Sequence, residues 1–190
     1  MSRPERTELR ITDPRALRAL AHPARQRVIT ELFSGEVLTA TEAGRLCGLT
    51  PSAMSYHLRA LQKWGIVEPG ESGDGRERPW RATADAISIT PEAHRAAGIE
   101  TSRTSVHTWF AELDADLDRL ATAVADGEEH GMTSRGRVWL TDAEERELRE
   151  ELHALARRHR GRTRRDHPEG ARPWNVYALV LPAEEPDPGA

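Results

Sequence analysis

Between Leu49 and Val67 the run Leu-Thr-Pro-Ser-Ala-Met-Ser-Tyr-His-Leu-Arg-Ala-Leu-Gln-Lys-Trp-Gly-Ile-Val sorts apolar from polar residues at a helical period. A helix opening after Thr50 has a hydroxyl cap, and Pro51 at its first position already holds a helical φ. At about 100° per residue Met54, Leu58 and Leu61 fall on one narrow stripe, the pattern of a helix docked on a core. Ser52, Tyr56, Arg59 and Lys63 lie opposite, Ser55 flanks them, and Ala53 and His57 lie between that side and the core. Small hydroxyls, a flat aromatic and two cations suit phosphates and base edges in a major groove. A solvated amphipathic helix has the same pattern, so the neighbouring segments must decide.

Upstream, Leu38 to Leu49 reads as a short helix with Thr39 as cap, Glu42 completing a capping box, and Gly48 ending it. Two helices joined by a short glycine turn make a helix-turn-helix, whose second helix enters the groove. Downstream, Ile66-Val-Glu-Pro passes through Gly70-Glu-Ser-Gly-Asp-Gly75 into Arg76-Glu-Arg-Pro-Trp-Arg-Ala-Thr83. This reads as a hairpin, with Arg76, Arg78 and Arg81 at or just beyond its tip, where cations reach phosphates or an adjacent minor groove. Ahead of the pair, Asp13-Pro14 opens a helix carrying Leu17 and Leu20, His22-Pro23 breaks it, and Val28, Ile29, Leu32 and Phe33 mark a second scaffold helix ending at Ser34-Gly35. Arg25 and Arg27 stand near the start of that helix, open to phosphate or simply to water.

Leu20-Ala-His-Pro-Ala-Arg-Gln-Arg-Val-Ile, Ser52-Ala-Met-Ser-Tyr-His-Leu-Arg-Ala-Leu and Gly75-Arg-Glu-Arg-Pro-Trp-Arg-Ala-Thr, in that order and spacing, resemble the winged-helix ArsR family of bacterial repressors. The resemblance runs from about residue 11 to 90 and implies a winged helix-turn-helix. It implies that Ser52, Ala53, Ser55, Tyr56 and His57 face DNA. The family often has Arg where Tyr56 stands, and Tyr offers one hydroxyl and a ring face where Arg holds guanine with two bonds, which leaves base preference open.

Charge distribution fits a local DNA contact. The 190 residues have a net charge of −4, too acidic for a protein that coats nucleic acid, yet residues 1–90 hold 13 basic and 11 acidic residues. Residues 91–190 hold 14 and 20, so the basic character belongs to the first half. A cationic strip is what a specific regulator needs, since a cationic body would be trapped on non-specific sites. Cys47 is the sole cysteine, so no internal disulfide forms; no apolar export segment leads the chain, and no apolar run approaches the length of a membrane span. The expected location is cytoplasmic, with no membrane partner.

Beyond residue 90 the clearest pattern is Val106, Phe110, Leu113, Leu117, Leu120 and Val124, spaced 4, 3, 4, 3, 4, with Trp109 widening one end. That is a coiled-coil seam on a helix of roughly 25 residues, which folds back on its own domain or pairs with a second copy. Pairing is favoured here, and the resemblance points the same way. A homodimer could set its reader helices roughly 34 to 36 Å apart, on successive turns of one DNA face. Arg135 to Leu140 then reads as a strand, Thr141-Asp-Ala-Glu144 as a second capping box, Leu148, Leu152 and Leu155 as one face of a helix to about Arg160, and Trp174 to Leu181 as a strand paired with the first. The expected fold is α+β and mainly helical: a winged helix-turn-helix DNA-binding domain in residues 1–90, then in 91–181 a long dimerisation helix with a small strand-helix-strand appendage open to an effector, and a disordered tail in 182–190.

Other constellations have plainer readings. The basic run Arg157 to Arg165 could make a second DNA contact, but it sits at a helix C-terminus, where cations offset the macrodipole and the helix's own acidic first turns balance it. Glu150 and His153 share metal-ligand spacing, but such a pair on a charge-rich helix is commonly solvated. ArsR-type metal sensors usually carry paired cysteines before the reader helix or an Asp and His cluster on the dimer helix, and neither is present. Cys47 beside Leu46 and Leu49 reads as a buried structural thiol. No metal and no cofactor is implied. Trp109, Trp139, Trp174 and Tyr177 could line a pocket for a small apolar effector between the long helix and the appendage, although core is the commoner use of such rings.

No nucleophile elbow, phosphate-binding glycine loop or zinc-spaced His/Cys set occurs, so there is no candidate catalytic residue and no enzyme is expected. The resemblance implies a dimeric transcriptional repressor acting on double-stranded operator DNA. Two alternatives are a sensor that releases DNA when a small molecule enters the aromatic pocket, and a winged-helix adaptor that binds protein. A polar, cationic reader face disfavours the adaptor, which would want exposed apolar anchors.

Overall fold

Asp13 Oδ1 accepts from Arg15 N at 2.8 Å and starts the first helix, α1 (Pro14–Leu20), where a proline at the first position costs no backbone bond. The same device recurs along the chain in this computed structural model, which describes residues 8–70, 77–127, 132–159 and 162–184. His22 Nδ1 caps α2 (Pro23–Phe33), Thr50 caps α4 (Pro51–Gln62) and Thr90 caps α5 (Pro91–Ala97), each followed by proline. Between them α3 (Ala40–Cys47) carries the full capping box: Glu42 N donates to Thr39 Oγ1 at 3.2 Å, and Thr39 N donates to Glu42 Oε2 at 2.9 Å.

The chain divides into two compact units, residues 1–112 with 160–168, and residues 113–159 with 169–190. In the first unit α1 to α4 surround a core in which Leu17, Leu20, Val28, Leu32, Met54, Leu58, Leu61 and Ile66 are fully buried. The hairpin is an antiparallel pair of β2 (Val67–Pro69) and β3 (Trp80–Ala82), with Glu68 opposite Arg81. Trp80 also exchanges both backbone bonds with Leu38, at 2.7 and 3.0 Å, which ties the hairpin to the start of the helix-turn-helix. Residues 71–76, including the turn and Arg76, lie outside the described residues.

Two strands of this unit were not anticipated. β1 (Glu8–Ile11) runs parallel to β4 (Ala86–Ile89), with Leu9 opposite Ile87 and Ile11 opposite Ile89. β1 alternates polar and apolar over four residues and β4 over only its last three, weak signals at that length. After α5, helix α6 (Ile99–Trp109) ends where Ala111 N turns to the Thr108 carbonyl, and α7 (Leu113–Ala125) begins in the second unit. The single long helix expected through Val106 to Val124 is therefore two. Trp109 and Phe110 stand at the break: with Val106, Ile87, Ile89, His94 and Ser105 they line a hollow of about 200 Å³. Asp114 and Asp116 then favour a new helix N-terminus at α7.

In the second unit Thr141 and Glu144 form the expected capping box, Thr141 N donating to Glu144 Oε2 at 2.8 Å, and α8 (Asp142–His159) follows. The expected strands Arg135 to Leu140 and Trp174 to Leu181 do not pair; neither segment has strand structure. Val138, Trp139, Val176 and Leu181 are exposed, and two strands without a covering layer do not hold each other. Tyr177 Oη and Asn175 Nδ2 instead donate to Asp116 Oδ2 at 2.6 and 2.7 Å, fastening this segment to α7. Of the tail expected to be disordered, residues 185–190 lie outside the described residues.

Candidate nucleic-acid interface

Helix α4 is held by its buried stripe and by the closeness of its predecessor. Met54, Leu58 and Leu61 have no exposed surface. A Cβ on Gly44 would stand 2.8 Å from the Leu49 carbonyl oxygen, so only glycine lets α3 approach the turn this closely. Gly48 takes the left-handed conformation that ends α3, with φ of 68°. Thr50 Oγ1 then accepts from Ala53 N at 3.2 Å and starts α4. These contacts fix which way the opposite face of α4 points.

That face carries Ser52, Tyr56, Arg59 and Lys63, all exposed, with Tyr56 at 66%. Ser55 and Ala53 are half-buried beside it. Lys63 is also the C-cap of α4, and its ammonium stands 5.6 Å from the Trp64 ring. Arg15 approaches the same ring at 5.9 Å, while its guanidinium is bonded to the Asp13 carboxylate. That contact holds the Asp13 carboxyl below its ordinary range.

His57 differs from the other expected contacts. It is half-buried, its ring centroid is 4.6 Å from that of His22, and the Tyr56 ring meets it edge-on at 5.6 Å. Burial, and then His22 and Arg25, hold its pKa below the ordinary histidine value. A neutral ring wedged against the α2 cap joins α4 to the scaffold.

On the hairpin, Arg81 lies in β3, not at the tip, and Glu68 across the strands accepts from its Nε at 2.9 Å and Nη2 at 2.8 Å. Register places the pair directly opposite, information absent until the turn length is known. Arg78 is exposed in the segment before β3. Its neighbour Glu77 was not singled out in the sequence, yet its Oε1 accepts from Thr41 N and Thr41 Oγ1 at 3.0 and 3.2 Å. It thereby pins this segment to the first turn of α3.

The helix-turn-helix domain family matches residues 20–69, which runs from the end of α1 through β2. That stretch is a helix-turn-helix domain, and with the β2–β3 hairpin the fold is a winged helix-turn-helix. No curated protein sequence matches the chain. Among solved structures it is similar to a homodimeric winged helix-turn-helix DNA-binding domain from Mycobacterium bovis, at 18% identity over 63% of this chain and 88% of that one, with a TM-score of 0.32. It is also similar to a MarR-family transcriptional regulator from Silicibacter pomeroyi, at 22% identity over 62% of this chain and 81% of that one, TM-score 0.31. A MarR-family protein from Mycobacterium tuberculosis in complex with salicylic acid shares 23% identity over 76% of this chain and 87% of that one, TM-score 0.31.

Trp109 lines the hollow of the first unit. Trp139 is 79% exposed and Trp174 56% exposed, its ring covered on one face by the Arg172 guanidinium at 4.4 Å, so neither is enclosed as a ligand-lining ring would be. Along α7, Leu117 and Val124 are exposed while Leu113 and Leu120 are half-buried. Cys47 belongs to the core, and burial pushes its thiol pKa up. Among the described residues no three His, Cys, Asp or Glu side chains gather as metal ligands would, and no helix is long and apolar enough to cross a membrane.

Proposed function

We propose that this protein is a sequence-specific, double-stranded-DNA-binding transcriptional regulator of the ArsR type. The observation that carries the reading is the division of α4, whose Met54, Leu58 and Leu61 are wholly buried while Ser52, Tyr56, Arg59 and Lys63 stand exposed on the other side. Arg59 and Lys63 hold phosphates and set the register; Ser52, Ser55 and Tyr56 meet base edges, and Ala53 leaves the backbone close to them. Arg78 and Arg76 extend the contact from the wing. His57 orients Tyr56 from behind, and Arg81 serves the hairpin first.

The DNA-binding domain is residues 1–90, and 91–181 brings two copies together through Val106, Trp109, Phe110 and the α7 residues Leu113, Leu117, Leu120 and Val124. A homodimer reads two half-sites and represses by occluding a promoter. It works in the cytoplasm. Selection of bound duplexes from a randomised library tests the reading: an enriched motif that changes when Tyr56→Phe or Ser55→Ala is introduced supports it, and failure to enrich any motif contradicts it.

A further inference from the structure

The chain leaves the first unit after Glu112 and returns to it for residues 160–168. There Thr163 N donates to the Asp166 carbonyl at 2.9 Å and Asp166 N to Thr163 Oγ1 at 3.1 Å, closing a turn that presents two consecutive arginines. Arg164 N donates to Glu36 Oε1 at 2.6 Å, Arg164 Nη2 to Glu31 Oε1 at 2.6 Å, and Arg165 Nη2 to Glu42 Oε1 at 2.7 Å. The three carboxylates come from α2, from the loop after it and from the first turn of α3. From the sequence, the acidic start of α8 is expected to balance this basic run; Arg164 and Arg165 instead find acids on α2, the loop after it and α3.

Glu36 is 7% exposed, and a carboxylate so covered needs a donor, which the Arg164 amide supplies from 128 residues away. Glu42 does double duty: Oε2 completes the α3 capping box while Oε1 takes Arg165. The Thr39 amide foremost, and Arg165 after it, hold its carboxyl below the ordinary range. The hydrogen bond to Glu31 foremost raises the Arg164 pKa. The side-chain pairs themselves are largely solvent-accessible, each weak alone and screened by salt, which makes the docking reversible.

We propose that Glu31, Glu36 and Glu42 form a receptor for the arginine turn 162–166, and that this internal latch withholds Arg164 and Arg165 from DNA phosphates. An arginine paired with a carboxylate cannot also neutralise a phosphate and release its counterion. Opening the latch adds up to two phosphate contacts and raises non-specific affinity. This consequence rests on the DNA-binding reading; the docking itself does not.

Two full-length variants test it. Glu31→Gln/Glu42→Gln removes two receptor charges, retains a residue able to complete the capping box, and leaves Glu36 in place. A second variant adds Arg164→Gln/Arg165→Gln. In the first, tryptic cleavage after Arg164 and Arg165 should be about three- to tenfold faster than in the wild type. The slope of log affinity against log salt for a mixed-sequence duplex should steepen by up to about 2, and the second variant should lose that gain. Unchanged cleavage overturns the latch, as does a gain in affinity that survives removal of the two arginines. If no variant binds duplex DNA, the DNA reading fails while the cleavage rates still decide the docking.

Discussion

The imidazoles of His22 and His57 stand 4.6 Å apart and tilted by 48°, joining the cap of α2 to the middle of α4. His22 Nδ1 accepts from Ala24 N at 3.2 Å. His57 Nδ1 and Arg25 Nε are both buried and unpartnered among the described residues, so a proton on His57 would sit beside a fixed cation without an acceptor. Burial first, and then His22 and Arg25, lower its pKa from 6.5. The neutral ring therefore contributes stability that is complete above pH 6.5 and is lost as pH falls through the lower folded value. Thermal unfolding followed from about pH 7.5 to about pH 5 should show a shallower loss of stability in His57→Gln than in the wild type. Equal slopes would remove His57 from this account.

The wing arginines should separate. Arg81 is committed to Glu68 across the hairpin, whereas Arg78 is exposed one segment earlier. Arg78→Ala is expected to weaken binding to all duplexes and reduce the salt slope by about 1, and Arg81→Ala to change it less. The exposed Arg81 pair contributes on the order of 0 to 1 kcal/mol to stability, so a melt of Arg81→Ala should move little. The reverse ranking in a fluorescence-anisotropy titration would show that the wing is seated differently on DNA.

Local signals were legible in the sequence where cause and effect lie within one turn of chain. Thr39 with Glu42, Gly48, and Thr50 with Pro51 mark the bounds of α3 and α4, and the period of Met54, Leu58 and Leu61 marks the buried face. What depended on distant partners was not legible. The β1–β4 pair joins segments 78 residues apart at Glu8 and Ala86, and nothing within either names the other. Glu68 and Arg81 become a pair only through register. A helical wheel puts His57 between the polar side and the core, but it does not show the His22 ring that the fold brings against it. The apolar run in Trp174 to Leu181 advertises a surface ready to be buried, but not whether a layer exists to cover it.

Gly44 is a test of the packing that orients α4. An alanine Cβ would meet the Leu49 carbonyl oxygen at 2.8 Å, a backbone atom that cannot rotate away. Gly44→Ala should cost about 1 to 3 kcal/mol in denaturant unfolding, with the slope against denaturant unchanged. A cost below about 0.5 kcal/mol would mean that α3 and the turn shift apart without penalty.

The α7 seam bears on assembly. Leu117 and Val124 are exposed on a helix whose spacing suits pairing with a copy of itself. Sedimentation of the wild type should give a dimer, and Leu117→Asp/Val124→Asp should move it toward monomer while the α4 face is untouched. A wild-type monomer at working concentration, or a dimer indifferent to both substitutions, would rule this seam out as the interface.

The central claim is that the polar side of α4 reads duplex DNA, and the salt dependence of duplex binding for wild type against Arg59→Ala/Lys63→Ala tests it most directly. Affinity should fall steeply with salt in the wild type. The double variant should bind more weakly at every salt concentration, with a slope shallower by about 2. Equal affinities and equal slopes for the two proteins would place the DNA contact elsewhere and contradict the account.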